Sequence, residues 1–175
     1  DGIMSTGEFK VGNNYYYADS NGVVAKGLKE IGRKTYYFHG NSYYRLTGWQ
    51  TINGQRYYFD VNDNGAMQTG WFEVGGYWYY SDTEGKVQKN LVTVTEDGQE
   101  RTYYFDGNYR LKIGWYNIGG VRYYFANEQE PQQCYAIYSG NVVKGWFTFA
   151  GGKSYFNNSL IDSEIGKAPD VSIAV

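Results

Sequence analysis

The sequence predicts an all-β chain, a solenoid of stacked β-hairpins, and three observations carry that expectation. Aromatic residues make up 20% of the 175 residues, as 21 Tyr, 9 Phe and 5 Trp. Glycine is abundant, at 24 residues, and proline is scarce, at two. The first four aromatic runs begin at Tyr15, Tyr36, Tyr57 and Trp78, 21 residues apart each time, and a fixed period of that length marks a repeat architecture. Glycine is a poor helix former, which argues against a helical domain. Collagen needs abundant proline and a three-residue glycine period. Disordered chains are depleted in the aromatics that crowd this one.

The clearest repeat runs from Gly48-Trp49 through Asn53-Gly54 and Tyr57-Tyr58-Phe59-Asp60 to a closing Asn64-Gly65-Ala66-Met67-Gln68-Thr69. Repeats start at Gly7, Gly27, Gly48, Gly70, Asn90, Gly114 and Gly145, seven in all. In each, a short strand (Trp49 to Ile52) leads to a two-residue turn and then to the aromatic strand (Arg56 to Phe59). Asn53-Gly54 suits a type I′ turn, which needs φ > 0 at both central residues. Equivalent turns are expected at Gly12-Asn13, Gly32-Arg33, Gly75-Gly76, Asp97-Gly98, Gly119-Gly120 and Gly151-Gly152. Strand alternation puts Tyr57 and Phe59 on one face and Tyr58 on the other. A lone hairpin is marginal in water, so neighbouring repeats must bury one another's aromatic faces.

Two repeats depart from the period. The fifth has extra residues around its turn, Thr95 to Glu100. The sixth runs 31 residues, with an insertion at Asn127 to Cys134, which is either a binding feature or drift in a surface loop. The opening Asp1-Gly2-Ile3-Met4-Ser5-Thr6 matches the closing run of a repeat. The expected organisation is therefore a hairpin array over 1–167, preceded by the tail of another repeat, with a tail over 168–175. The chain reads as a piece of a longer array carrying another domain upstream.

Gly-Trp, then Asn-Gly, then Tyr-Tyr-Phe-Asp and a closing Gly-x-Met-x-x-Gly resemble the cell-wall-binding repeat superfamily. That group includes choline-binding modules, the glucan-binding repeats of glucansucrases and the receptor-binding repeats of clostridial toxins. The resemblance implies a secreted, non-catalytic module at the surface of a Gram-positive bacterium, anchoring a partner domain to cell-surface or extracellular polysaccharide. Choline-bearing teichoic acid is the first alternative ligand, and a passive spacer or protein-interaction stalk is the second alternative function.

In choline-binding repeats a cage forms from the Trp after the first Gly, a Trp just before the Tyr pair, and a Tyr of the following repeat, which attract a quaternary ammonium through their π faces. Here the first position holds Phe9 (displaced by one), Leu28, Trp49, Trp71, Leu91, Trp115 and Trp146. The second holds Tyr15, Thr35, Arg56, Trp78, Thr102, Arg122 and Lys153. Trp71 and Trp78 with Tyr104 are the candidate cage, while Arg56, Arg122 and Lys153 oppose a cation. For a sugar, Trp49, Trp71, Trp115 and Trp146 are the candidate platforms, with Tyr58, Tyr80, Tyr104 and Tyr124 beside them. The same aromatics also serve as core, and each position admits that reading too.

Other chemistry finds little support. The net charge is −2, without a basic stripe, so no nucleic-acid partner is expected. No apolar run is long enough for membrane insertion. No cofactor or metal is expected. Asp60-Val61-Asn62-Asp63-Asn64-Gly65 resembles the start of a calcium loop, but Trp71 stands where the bidentate Glu belongs, and a turn is the better reading. His39 and Cys134 are single, and His39 reads as a turn residue, so catalysis is not expected. Asp60, Asp82 and Asp106 follow aromatic strands and suit turns better than a glycosidase pair. An open array end leaves unpaired strand edges, which allow homodimerisation.

Overall fold

The structure is a computed structural model that describes residues 3–125 and the strands at 145–149 and 152–156. The insertion at Asn127 to Cys134 and the tail at 168–175 lie outside the described residues. Among those described, every regular element is a strand, and the strands form seven small antiparallel sheets. The hairpins are β1(Gly7–Val11) with β2(Asn14–Ala18), β3(Gly27–Ile31) with β4(Lys34–Phe38), β6(Gly48–Ile52) with β7(Gln55–Asp60), and β9(Gly70–Val74) with β10(Tyr77–Ser81). They continue as β11(Asn90–Glu96) with β12(Gln99–Phe105), β14(Gly114–Ile118) with β15(Val121–Phe125), and β16(Gly145–Phe149) with β17(Gly152–Phe156). Every repeat start read from the sequence is the first residue of a strand. The chain divides into two compact units, residues 1–74 with 80–87 and residues 75–79 with 88–175.

The turns are of two kinds. Asn53-Gly54, Gly75-Gly76, Asp97-Gly98 and Gly119-Gly120 hold both residues at positive φ, the type I′ signature. At Gly12-Asn13 and Gly32-Arg33 only the glycine is positive, which is the type II′ pattern and corrects the expectation of one turn type throughout. The seventh turn is also corrected: Gly152 belongs to β17 and pairs with Phe149. Gly151 lies outside the described residues, and the ladder sets Trp146 opposite Tyr155 as Trp49 stands opposite Tyr58. The extra residues of the fifth repeat do not loop out. They lengthen the hairpin by the pairs Thr95↔Glu100 and Glu96↔Gln99. The extension is clasped by Arg101, 6% exposed, which bonds the Glu96 carboxylate at 3.1 Å, while the Tyr103 hydroxyl donates to the same carboxylate at 2.7 Å.

In three repeats the closing run makes a third short strand. β5(Arg45–Leu46) pairs with β4, β8(Ala66–Met67) with β7, and β13(Leu111–Lys112) with β12. In the first and fourth repeats it shrinks to the bridges Ala18↔Val24 and Ser81↔Val87. In the first unit these strands join successive repeats, with β5 against β2 and β8 against β4. Before each closing run one side chain ties the turn. Asp19, Asp82 and Asp106 each accept two backbone N–H groups on Oδ1, at 2.9–3.0 Å. His39 does the same through Nδ1, at 3.3 and 3.0 Å. Asp60 accepts from Asn62 N–H, so the calcium-like run is a turn of this series.

Register sets the core. In the first six repeats the residue paired with the repeat start is fully buried: Ala18 at 1%, Phe38 at 1%, and Phe59, Ser81, Phe105 and Phe125 at 0%. Tyr57, Tyr79, Tyr103 and Tyr123, two residues earlier on the same face, are also buried, at 1–6%. The even 21-residue spacing of the aromatic runs hides a shift. The runs at Tyr15 and Trp78 begin one register position earlier than those at Tyr36 and Tyr57, and so leave Ala18 and Ser81 in the innermost place.

Two measurements test this packing. The Ser81 hydroxyl is buried without a hydrogen-bond partner. Ser81→Ala, which copies Ala18, is expected to stabilise the chain by about 1 kcal/mol in urea unfolding. At Gly85, φ is +80° and a Cβ would collide with the Met67 thioether. Gly85→Ala is expected to destabilise by about 2 kcal/mol, and less than additively when combined with Met67→Ala, which removes the collision but not the backbone strain.

Candidate functional site

Register also places the candidate residues. On the face away from the buried Tyr and Phe, Trp49 stands opposite Tyr58, and Trp115 opposite Tyr124. The two pairs have the same geometry, with centroids 4.9 Å apart and planes at 55°. Trp71 meets Tyr80 at 5.1 Å and 62°. Directly opposed side chains on adjacent strands are close enough for such contact, so the nine-residue offset between Trp and Tyr builds each pair. Trp146 is opposite Tyr155 in the β16–β17 ladder, and its side chain lies outside the described residues.

The pairs differ in what surrounds them. Phe72 backs the first, stacked on Tyr58 at 5.5 Å and tilted against Trp49 at 6.0 Å. Arg56 lies diagonally across the ladder from Trp49, with its guanidinium carbon 4.2 Å from the centre of a Trp49 ring. The residue at the same register position in the next repeat is Trp78, which is 48% exposed. Trp71 falls in the first compact unit, and Trp78 and Tyr104 in the second. Tyr104, with Leu91 opposite instead of a Trp, packs against Tyr116 at 5.2 Å and Phe125 at 5.7 Å. Tyr124 is only 5% exposed, so its ring supports Trp115 from beneath.

Cations of the chain itself cover other aromatic faces. Arg45 lies 4.6 Å from the ring of Tyr15 and 5.4 Å from that of Tyr36, held by Glu8 and by Asn64. Arg110 lies 4.0 Å from the ring of Tyr77. Such contacts fall well within the range of cation–π attraction.

One feature was not legible as a site. Phe9, Tyr16, Val23, Val24, Ser42 and Tyr43 line an apolar groove of about 470 Å³ in the first unit. Tyr43 is held at φ +59°, an unusual backbone for a bulky residue, where the first and fourth repeats place Gly22 and Gly85. The signal was the tyrosine in place of that glycine. The Met4 thioether lies over Gly22 and that of Met67 over Gly85, whereas the shorter Val24 shares the groove with Tyr43.

Residues 46–90 match the choline-binding repeat family, and residues 9–24 and 113–128 match the cell wall binding repeat family. Among solved structures, the chain is similar to CbpJ of Streptococcus pneumoniae, with 25% identity and a TM-score of 0.74 over 88% of this chain and 51% of that one. It is similar to choline binding protein F of Streptococcus pneumoniae, with 31% identity and a TM-score of 0.62 over 80% of this chain and 48% of that one. The latter protein has also been solved in the presence of a peptidoglycan analogue, a tetrasaccharide-pentapeptide; that structure matches at 30% identity and a TM-score of 0.62, over 80% of this chain and 47% of that one. The chain thus spans about half the length of these proteins. No curated protein matches it.

Tyr58 offers a spectroscopic handle on the first pair. Burial, and then the negative charge of Asp60, push its phenol above the usual range of about 10. The unfolded chain therefore ionises this group first. The stability from its neutral form is complete below about pH 10 and is lost as the pH rises beyond that. Tyr58→Phe is expected to flatten the fall in urea midpoint between about pH 9 and 11, relative to the unmodified chain.

Proposed function

Because the chain belongs to the cell-wall-binding repeat superfamily, we propose that it is a non-catalytic binding module that holds a larger secreted protein on cell-wall or other extracellular polysaccharide. One observation carries this reading: a Trp–Tyr pair recurs in a single register on the strand face opposite that of Tyr57, Tyr79 and Tyr123. Flat aromatic surfaces of this kind stack on the apolar faces of sugar rings, and neighbouring polar groups fix orientation. Trp49, Trp71, Trp115 and Trp146 are the platforms in this reading, Tyr58 and Tyr80 flank the first two, and Tyr104 adds a further aromatic face beside Tyr116. Choline binding protein F, solved with a tetrasaccharide-pentapeptide, makes wall glycan the natural first probe.

A second reading, choline-bearing teichoic acid, is favoured by the choline-binding repeat match at 46–90 and by the exposed Trp78 within it. Trp78 then serves as one wall of a quaternary ammonium site.

Calorimetric titration with dextran, purified wall glycan and choline separates the two. Binding of glycan without a choline response supports the first reading. A choline response abolished by Trp78→Ala supports the second. Loss of an anchoring Trp is expected to weaken its ligand by about tenfold. Because Trp78 is half exposed, its removal should leave the melting temperature within a few degrees. No binding to either ligand or to whole Gram-positive cells overturns both.

A further inference from the structure

We propose that Arg56 is an internal ligand of its own repeat: its guanidinium fills the aromatic face of Trp49 and closes that face to quaternary ammonium ions. The inference rests on the reading of the Trp–Tyr face as a binding surface, and it assigns the residue that decides which ligand class this repeat refuses.

The register brings the two side chains within reach of each other. Trp49 pairs with Tyr58, and Arg56 is two residues earlier on the same strand and the same face, so it is the diagonal neighbour of Trp49. Its guanidinium carbon sits 4.2 Å from a Trp49 ring centre. Trp is the strongest aromatic partner for a cation, and a planar guanidinium stacks on it as an ammonium does not. Tyr58, 4.9 Å from Trp49, and Phe72, 6.0 Å from it, pack against the same Trp49 side chain. The backbone of Arg56 is also fixed, since its carbonyl accepts the Val87 N–H at 2.8 Å. The side chain is therefore presented from a pinned strand, not a free loop.

An added organic cation meets two obstacles at this face. It must displace a tethered competitor whose effective concentration does not fall on dilution, and it must approach a positive charge. In the next repeat the same register position carries Trp78, an additional aromatic wall in place of a cation. One residue at one position thus turns a repeat from admitting a quaternary ammonium to refusing it. Arg45 over Tyr15 and Tyr36, and Arg110 over Tyr77, show that this chain covers aromatic faces with its own guanidinium groups elsewhere too.

The test uses the full chain and tetramethylammonium, followed by tryptophan fluorescence and calorimetry. Arg56→Met keeps most of the alkyl stem and removes the charge; Arg56→Ala removes both; Arg56→Lys retains a cation. Arg56→Met and Arg56→Ala are expected to gain a site at least about fivefold tighter than any response of the unmodified chain, and Arg56→Lys much less. Adding Trp49→Leu to Arg56→Met should abolish the gain. Arg56→Met that melts as the unmodified chain does, but binds tetramethylammonium no better, overturns the proposal. So does a gain that survives Trp49→Leu. Wall-glycan binding is measured on the same proteins as a separate readout. A gained cation site in a chain that binds no glycan or cells refutes the anchoring function and leaves the role of Arg56 standing.

Discussion

Everything in this fold depends on one pairing: the residue that opens a repeat stands opposite the residue that closes the aromatic strand. The opening residue is in the left-handed region, from +67° at Asn90 to +93° at Gly114, and its partner is 0–1% exposed. Glycine meets the backbone demand without strain, and asparagine is the usual substitute, as at Asn90. Because strand alternation has a period of two, this one pair dictates every other side chain of the hairpin. Tyr57 and its equivalents go inward, and Trp49, Arg56 and Tyr58 go to the other face. A slip of one residue would exchange the faces.

That constraint explains which parts of the molecule were legible in the sequence. The repeat starts, six of the seven turns and the Trp–Tyr pairs follow from counting between Gly and the aromatics, and local backbone chemistry enforces them. Three features do not follow from that counting. The runs at Tyr15 and Trp78 are displaced by one position, because Ala18 and Ser81 fill the innermost place that Phe fills elsewhere. At Gly151-Gly152 two adjacent glycines both fit a turn, and only the ladder to Tyr155 decides between registers. The additional pairs of the fifth repeat read as loop, because Thr95 to Glu100 contains no aromatic to betray a strand.

The site was less legible, for a different reason. Arg56 was visible as a charge hostile to a cation, but not as a charge already stacked on Trp49, since a diagonal contact depends on rotamer and twist as well as spacing. The groove around Tyr43 depends on a bulky residue accepting a glycine's backbone, together with a short Val24 beneath it, and neither residue is unusual when read alone. His39 is the opposite case. It reads as a turn residue in the sequence, and the structure gives it the work of an aspartate there, accepting two N–H groups.

The division of labour between faces explains how such an array can change ligands without changing fold. The innermost position admits only Ala, Ser or Phe among the described repeats, and each change there alters packing that the whole hairpin shares. The position of Arg56 is filled by Tyr15, Thr35, Arg56, Trp78, Thr102, Arg122 and Lys153 in successive repeats, spanning aromatic, neutral polar and cationic chemistry. It shares a strand face with the Tyr of the Trp–Tyr pair, and in the third repeat Arg56 lies over the ring of Trp49. A substitution there costs the hairpin little, while it decides whether the aromatic surface beside it is extended, left open or covered by a guanidinium. Under the proposed function, ligand preference is set repeat by repeat at one register position, and the buried pair keeps the fold constant.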